Sequence, residues 1–314
     1  MITTAPPRLV AFATVSLAVV SALGLFGRFA WVLDLFAHFR MQLAVALLVC
    51  AAVSLVLRQP RVTLLASTFA LLNFIVVAPQ LVYQPTAEAR GRDTVRLVYV
   101  NINHYNREFE SALAFFRETD PDVLLIVEAN ERLLAVLDPL RERLPYVFVE
   151  TRGKGGVALM SRYPMAAQSV YFTSGNPSVV ALIDTHHGPL RLIGTHPRSP
   201  VSARRAQRRD AQLDAIASFV RVGSEPTVLL GDLNTTPWGH AFRALVAESG
   251  LRDTSRGVGF QWSWPASFWP LAIPIDHALV SEDVRVLDRR MGPSIGSDHL
   301  PLVLDIALAA NLDR

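Results

Sequence analysis

The strongest constraint on how this chain can fold lies in its first 85 residues. Three apolar runs without a single charge occupy about 9–27, 41–57 and 62–83. Crossing the hydrocarbon core of a bilayer takes about 20 such residues. A soluble helix of that length keeps a polar stripe toward water, and these runs have none. They are read as three transmembrane helices, and residues 1–85 as a membrane region. Only Arg8 precedes the first run, and no persuasive cleavage site follows it. With two more spans behind it, this run reads as a retained helix rather than a signal peptide.

Arg8 and the link "RQPR" (Arg58 to Arg61) fall on one side of the membrane. The other link holds Arg28, Asp34, His38 and Arg40. The positive-inside rule favours an inner amino terminus. Everything after the third run would then lie on the outer, periplasm-like side of a cell inner membrane. The single cysteine, Cys50, sits in the second run, so the exported part needs no disulfides.

Residues 86–93, "TAEARGRD", read as a polar linker, and 94–314 as one domain of ordinary size. Charge separates the two parts. Of 30 basic and 27 acidic residues, seven and three lie in the first 93, which leaves the remainder 23 and 24, a net of −1. A duplex-binding domain normally carries a strong basic excess. Nucleic acid is therefore not the favoured partner.

Apolar runs of strand length alternate with amphipathic stretches along this domain. "TVRLVYVN" reads as a strand ending at Asn101, and "DVLLIVE" as a doubly buried strand ending at Glu128. Between them lies a helix for which Asn106 is the expected N-cap and Pro121 the stop. "SVVALIDTHHGPLRLIGTH" reads as a hairpin turning at His187-Gly188-Pro189. A long helix with an arginine-rich start follows, then "EPTVLLGD", "IPIDHALVS" and "LPLVLDIAL". Hairpins among alternating strands and helices argue for mixed sheets covered by helices.

Polar residues recur at the ends of these apolar runs: Asn101, Glu128, His196, Asp232 with Asn234, Asp276, and Asp298 with His299. One acid in such a place is usually a turn former. Six such places would converge on one rim if the strands gather in sheets. Converging carboxylates need a cation to stay ionised. Oxygen donors without cysteine favour a hard ion, Mg²⁺ or Mn²⁺. Such an ion with a carboxylate base and an imidazolium suits hydrolysis at phosphorus.

The segments "VYVNIN", "PDVLLIVE", "GTHPRSP", "GDLNTTPWG", "PIDHALVS" and "GSDHLPLV" follow the order seen in the endonuclease/exonuclease/phosphatase superfamily, which residues 94–308 resemble. The resemblance implies an α/β fold, a four-layered sandwich of two packed mixed sheets with outer helices. It implies Glu128 as main metal ligand, with Asn101 beside it and Asp298 sharing the ion. It implies Asp232 as the carboxylate that orients or deprotonates the attacking water, and Asn234 as a holder of phosphate or nucleophile. His299 would donate to a phosphate oxygen with Asp276 fixing its ring, and His196 would be the second imidazole.

Other residues stay open. Arg198, Arg204 and Arg205 read as a solvated helix face or as the grip on a second phosphate or anionic headgroup. Lys154 in "RGKGG" reads as a plain turn. "FQWSWPASFWPLAIP", with Trp262, Trp264, Phe268 and Trp269, is a core-packing loop, an apolar wall of the substrate site, or a loop touching the bilayer. The expectation is a membrane-anchored, metal-dependent phosphodiesterase acting on a lipid or small phosphodiester. A DNA endonuclease, a phosphomonoesterase and a tethered module that only binds a phosphorylated ligand are the alternatives.

Overall fold

A computed structural model describes residues 5–82, 94–151, 155–173 and 175–308. The linker at 86–93 and Lys154 lie outside the described residues. The chain divides into two compact units, a helical one before residue 83 that also takes in Trp238–His240, and a larger one built from the other later residues.

The first unit contains α1 (Ala5–Leu23), α2 (Trp31–Ala37), α3 (Arg40–Val56) and α4 (Pro60–Leu81). Two helices, over Pro6–Phe26 and Pro60–Leu81, are long and apolar enough to cross a membrane. The second expected span is a pair: α2 and α3 meet the same test only together, bent by 61° at their junction. Packing here is inverted relative to a water-soluble bundle. Small residues, Ala51, Ala66 and Ala70, are buried beside Leu47, which lets the helices approach closely. Phe12, Leu48, Leu55, Leu64 and Ile75 are each more than half exposed. Buried Arg40 donates to the Ser21 carbonyl at 2.8 Å and to Asn73 Oδ1 at 3.0 Å. Asn73 Nδ2 in turn donates to Ser21 Oγ at 2.8 Å. Polar bonds of this kind hold helices together where no apolar driving force exists between them.

The second unit holds two six-stranded sheets. The first has the order β11-β12-β1-β2-β4-β3, from Val284–Met291, Leu302–Leu308, Val95–Asn101, Val123–Val127, Val157–Ser161 and Tyr146–Glu150. The second has the order β5-β6-β7-β8-β10-β9, from Met165–Val170, Ser178–Thr185, Gly188–Thr195, Thr227–Asp232, Asp276–Val280 and Arg252–Asp253. Each sheet contains one parallel pair, β1 with β2 and β7 with β8. Leu97, Tyr99 and Leu125 face Leu192, Leu230 and Ala278 in the layer between the sheets. Val98, Val100 and Leu124 point the other way, with Phe116 of α5 (Glu110–Thr119) and Leu133 of α6 (Glu131–Leu137). α7 (Ala203–Arg221) and α8 (His240–Ser249) cover the second sheet through Leu213, Ile216 and Leu245. The result is the four-layered α/β sandwich. Doubly covered strands explain the uninterrupted apolar runs, each fully buried leucine or isoleucine contributing about 1.5–3 kcal/mol.

Two local expectations are corrected. Asn106 does not cap α5. Its side chain accepts from the Glu108 N–H at 3.0 Å, a local turn, and the helix begins at Glu110. Asp120 then ends it in the left-handed region (φ 47°), just before Pro121. The β6–β7 hairpin turns at His186-His187, one residue earlier than expected, because Thr185 pairs with Gly188. Gly188 takes φ +113°, which a side chain would resist.

Candidate active site

Topology explains why the polar residues meet. Asn101 and Glu128 stand at the C-terminal ends of parallel β1 and β2, His196 and Asp232 at those of parallel β7 and β8. β10 runs antiparallel to β8, so its first residue, Asp276, sits opposite Asp232. β12 runs antiparallel to β1, so Asp298 and His299, just before its start, arrive at the same rim. Strand starts join strand ends because the strands reverse.

Asp232, Asp276 and His299 form the buried centre. His299 Nδ1 bonds Asp276 Oδ2 at 2.8 Å. Burial works against the imidazolium, but the charge and hydrogen bond of Asp276, with Asp232 and Asp298 behind, push His299 up to about 10. Asp276 feels the same contest in reverse. Burial would raise it, yet His299, Ser263 and Tyr99 hold it below the usual carboxylate value. Asp232 has weaker support. Burial and the neighbouring Asp276 raise it to about 6, tempered by His299, His196 and the Asn234 N–H. His196 Nε2 lies 3.4 Å from Asp232 Oδ2 and 3.7 Å from Glu128 Oε1.

A web of amides holds the remaining carboxylates. Asn101 Nδ2 donates to Glu128 Oε1 and to Asp232 Oδ2, each at 3.2 Å. The His104 N–H donates to Glu128 Oε2 at 2.8 Å. Asn103 Nδ2 donates to Asp298 Oδ1 at 2.9 Å, and the Trp264 indole N–H to Asp298 Oδ2 at 3.0 Å. Ser297 Oγ donates to the Asn101 carbonyl at 2.6 Å and accepts from the His299 N–H at 3.1 Å. Glu128, Asn103 and Asn234 all adopt positive φ, at 58°, 62° and 51°. Non-glycine residues held there store strain that surrounding contacts must oppose, and such residues cluster at functional sites.

A cleft of about 410 Å³ opens onto this centre, lined by Glu128, His196, Asp232, Asn234, Asp298 and His299. Asn101 and Asp276 lie behind that wall and are not among its lining residues. Arg198, Arg205 and Trp264 line the cleft too, so the aromatic stretch divides. Trp264 belongs to the site, while Phe268 and Trp269 are 53% and 71% exposed. Asn234 spends one donor on the Pro197 carbonyl at 3.0 Å. Its own carbonyl accepts from Arg209 Nη1 at 2.9 Å. Arg209 is buried, with Nε on Asp210 at 2.7 Å, in a stretch whose sequence looks like a solvated basic face. Of the two further amides that follow Asn101 in the sequence, Asn103 reaches the site and Asn106 forms a local turn. Ser297 and Arg209 were not visible as site residues in the sequence.

Two sets of side chains could hold a cation. The ligand atoms of Asp232, Asp276 and His299 lie within 4.8 Å of one another. Their chemistry argues against that set, because His299 already bonds Asp276 and is held as the cation, which has no lone pair to give. Glu128 and Asp298 supply hard oxygen donors at the cleft wall, which fit a hard divalent ion, with Asn101 behind them, its Oδ1 accepting from the Asn103 N–H at 3.1 Å. Burial first and the neighbouring Asp276 second raise Asp232, and a cation nearby would favour its charged form.

Comparison with known proteins agrees with this geometry. No individually curated protein matches the chain. Among solved structures, an endonuclease/exonuclease/phosphatase from Beutenbergia cavernae DSM 12333 superposes with TM-score 0.56 at 20% identity, covering 69% of this chain and 72% of that one. One from Bacteroides vulgatus gives 0.57 at 15%, covering 69% and 100%. Sphingomyelinase C from Streptomyces griseocarneus gives 0.54 at 18%, covering 68% and 99%. At these identities the likeness is one of fold. The model of the Endonuclease/Exonuclease/phosphatase family matches residues 98–299, well over half of the chain, and the protein belongs to that family.

Proposed function

We propose that the protein is a membrane-anchored phosphodiesterase that needs Mg²⁺ or Mn²⁺. The observation that carries the reading is the convergence of Asp232, His299, His196, Glu128 and Asp298 on one cleft. Glu128, Asp298 and Asn101 would hold the ion, which supplies charge stabilisation at the phosphoryl oxygens. Asp232, at about 6 before an ion is bound, is ionised at neutral pH and serves as the base for attacking water. Asn101 Nδ2 and the Asn234 N–H fix its two oxygens. His299, cationic and aimed by Asp276, donates from Nε2 to a phosphate oxygen as charge grows there. His196 faces the same centre and gives a second donor.

A diester of a lipid or a small molecule is the favoured substrate class. The catalytic part has a net charge of −1, poor for gripping duplex DNA. A structural neighbour bears the name sphingomyelinase, and apolar helices would keep the enzyme near lipid. The test is hydrolysis by the purified full chain of bis-p-nitrophenyl phosphate, a phosphomonoester, a phospholipid and plasmid DNA, each with Mg²⁺, Mn²⁺ or chelator. Chelator-sensitive turnover with the diesters ahead is the expected outcome. A monoester or DNA preference would replace the substrate class. No turnover at all would turn the reading into a module that binds a phosphorylated ligand.

A further inference from the structure

We propose that Arg198 and Arg205 form a second anion subsite in the cleft, so that the true substrate carries a second phosphate beside the scissile one. This rests on the phosphoesterase reading of the same cleft and narrows its substrate class. Both residues line the cleft that Glu128, Asp232 and His299 line, together with Asn176, Ser199 and Val201. Arg198 is half-buried, and its Nε is closed off from water without a hydrogen-bond partner. Buried donors are almost always satisfied, so this one is open to an acceptor entering the cleft.

Several arginines of the catalytic unit have found carboxylates, while buried Arg289 bonds Gln261 instead and Arg205 stands exposed at the start of α7. Arg96 pairs with Asp305 at 2.7 Å, Arg191 with Glu225 at 2.8 Å and Arg209 with Asp210 at 2.7 Å. Arg198 and Arg205 have no carboxylate partner among the described residues. The carboxylates that line the cleft, Glu128, Asp232 and Asp298, are those assigned to the reaction centre. The scissile phosphate already has His299 and His196. The arginines are therefore surplus to the reacting group and suited to another anion. A guanidinium fork matches phosphate oxygens two at a time.

The test uses substrate pairs that differ by one phosphate. The soluble pair is thymidine 5′-(p-nitrophenyl phosphate) with and without a 3′-phosphate. The lipid pair is phosphatidylinositol and its 4-phosphate, in phosphatidylcholine vesicles. Native full chain with Mn²⁺ should prefer the extra phosphate in at least one pair, and that pair names the source as soluble or lipid. Arg198→Gln and Arg205→Gln should each lower that preference about tenfold, and Arg205→Lys should restore part of it. No preference in either pair, or equal losses on both members, overturns the proposal. If native protein cleaves none of the four, the phosphodiesterase reading fails separately. Calorimetry with chelated protein then decides the subsite. Thymidine 3′,5′-bisphosphate binding more tightly than thymidine 5′-phosphate, and losing that margin in Arg205→Gln, upholds it. Equal binding sinks it.

Discussion

Asp276 is shut away from water, and burial alone would neutralise it. The imidazolium of His299 reverses that outcome, and each group keeps the other charged. His299 lies at about 10 when folded against an ordinary 6.5. Its protonated form thus favours folding. That contribution is complete below about pH 6.5 and disappears as pH rises through 10. In metal-free protein, the stability margin of native over His299→Gln should stay level below pH 6.5 and shrink toward pH 10, as read from thermal melts. A margin that is unchanged at pH 10 would contradict the pairing. At this scale the sequence marked the ionisable residues well, since an acid or imidazole ending an apolar run has few uses. It did not mark their partners. Asn103 meets Asp298, and Ser297 meets Asn101, each across nearly 200 residues of chain. No local pattern encodes such a meeting.

Doubly buried strands were visible because each reads as an unbroken apolar run, as in "LVYV" of β1 and "VLLIV" of β2. Strands with half-covered faces were not. β3 sits at a sheet edge with Tyr146 and Val149 exposed, and β11 carries Arg285, Asp288, Arg289 and Arg290. Charge in β11 hid its pairing with β12, which runs from Val284 to Met291. α7 misled in the opposite sense. Its arginine-rich start reads as a solvated face or an anion grip at Arg204 and Arg205, yet Arg209 turns inward to hold the Asn234 carbonyl and Gln212 to bridge Ser178 and Thr195. Glycine marks one tight approach here: a Cβ on Gly231 would meet the Thr195 carbonyl oxygen at 2.0 Å. That contact brings Asp232 alongside His196, and the glycine that opens "GDLN" makes room for it.

On the scale of the whole molecule, the charge balance sharpens the expected orientation. Arg40 and Asp34 were counted in an exposed link, but both are buried. Arg28 is then the exposed cation of that link. Arg8, Arg58 and Arg61 are exposed at the opposite end, which Gln59 ties together through a 3.1 Å bond to the Pro7 carbonyl. Three cations against one favour an inner amino terminus, and a catalytic unit outside. Val222 is 83% exposed on that unit. In a Cys50→Ala background, Val222→Cys should react with an impermeant maleimide in intact bacterial cells. Reaction only after the cells are broken would reverse the orientation.

The claim on which the rest depends is that Asp232 takes a proton from the attacking water in a metal-loaded site. Its most direct test is kcat of Asp232→Asn on bis-p-nitrophenyl phosphate at saturating Mn²⁺, with Mn²⁺ binding followed in parallel by paramagnetic resonance. The substitution keeps shape and removes the base. We expect kcat to fall by about 10²–10⁴-fold while Mn²⁺ remains bound through Glu128 and Asp298. Native-like turnover by the variant would contradict the account, and loss of Mn²⁺ together with activity would move Asp232 from base to metal ligand.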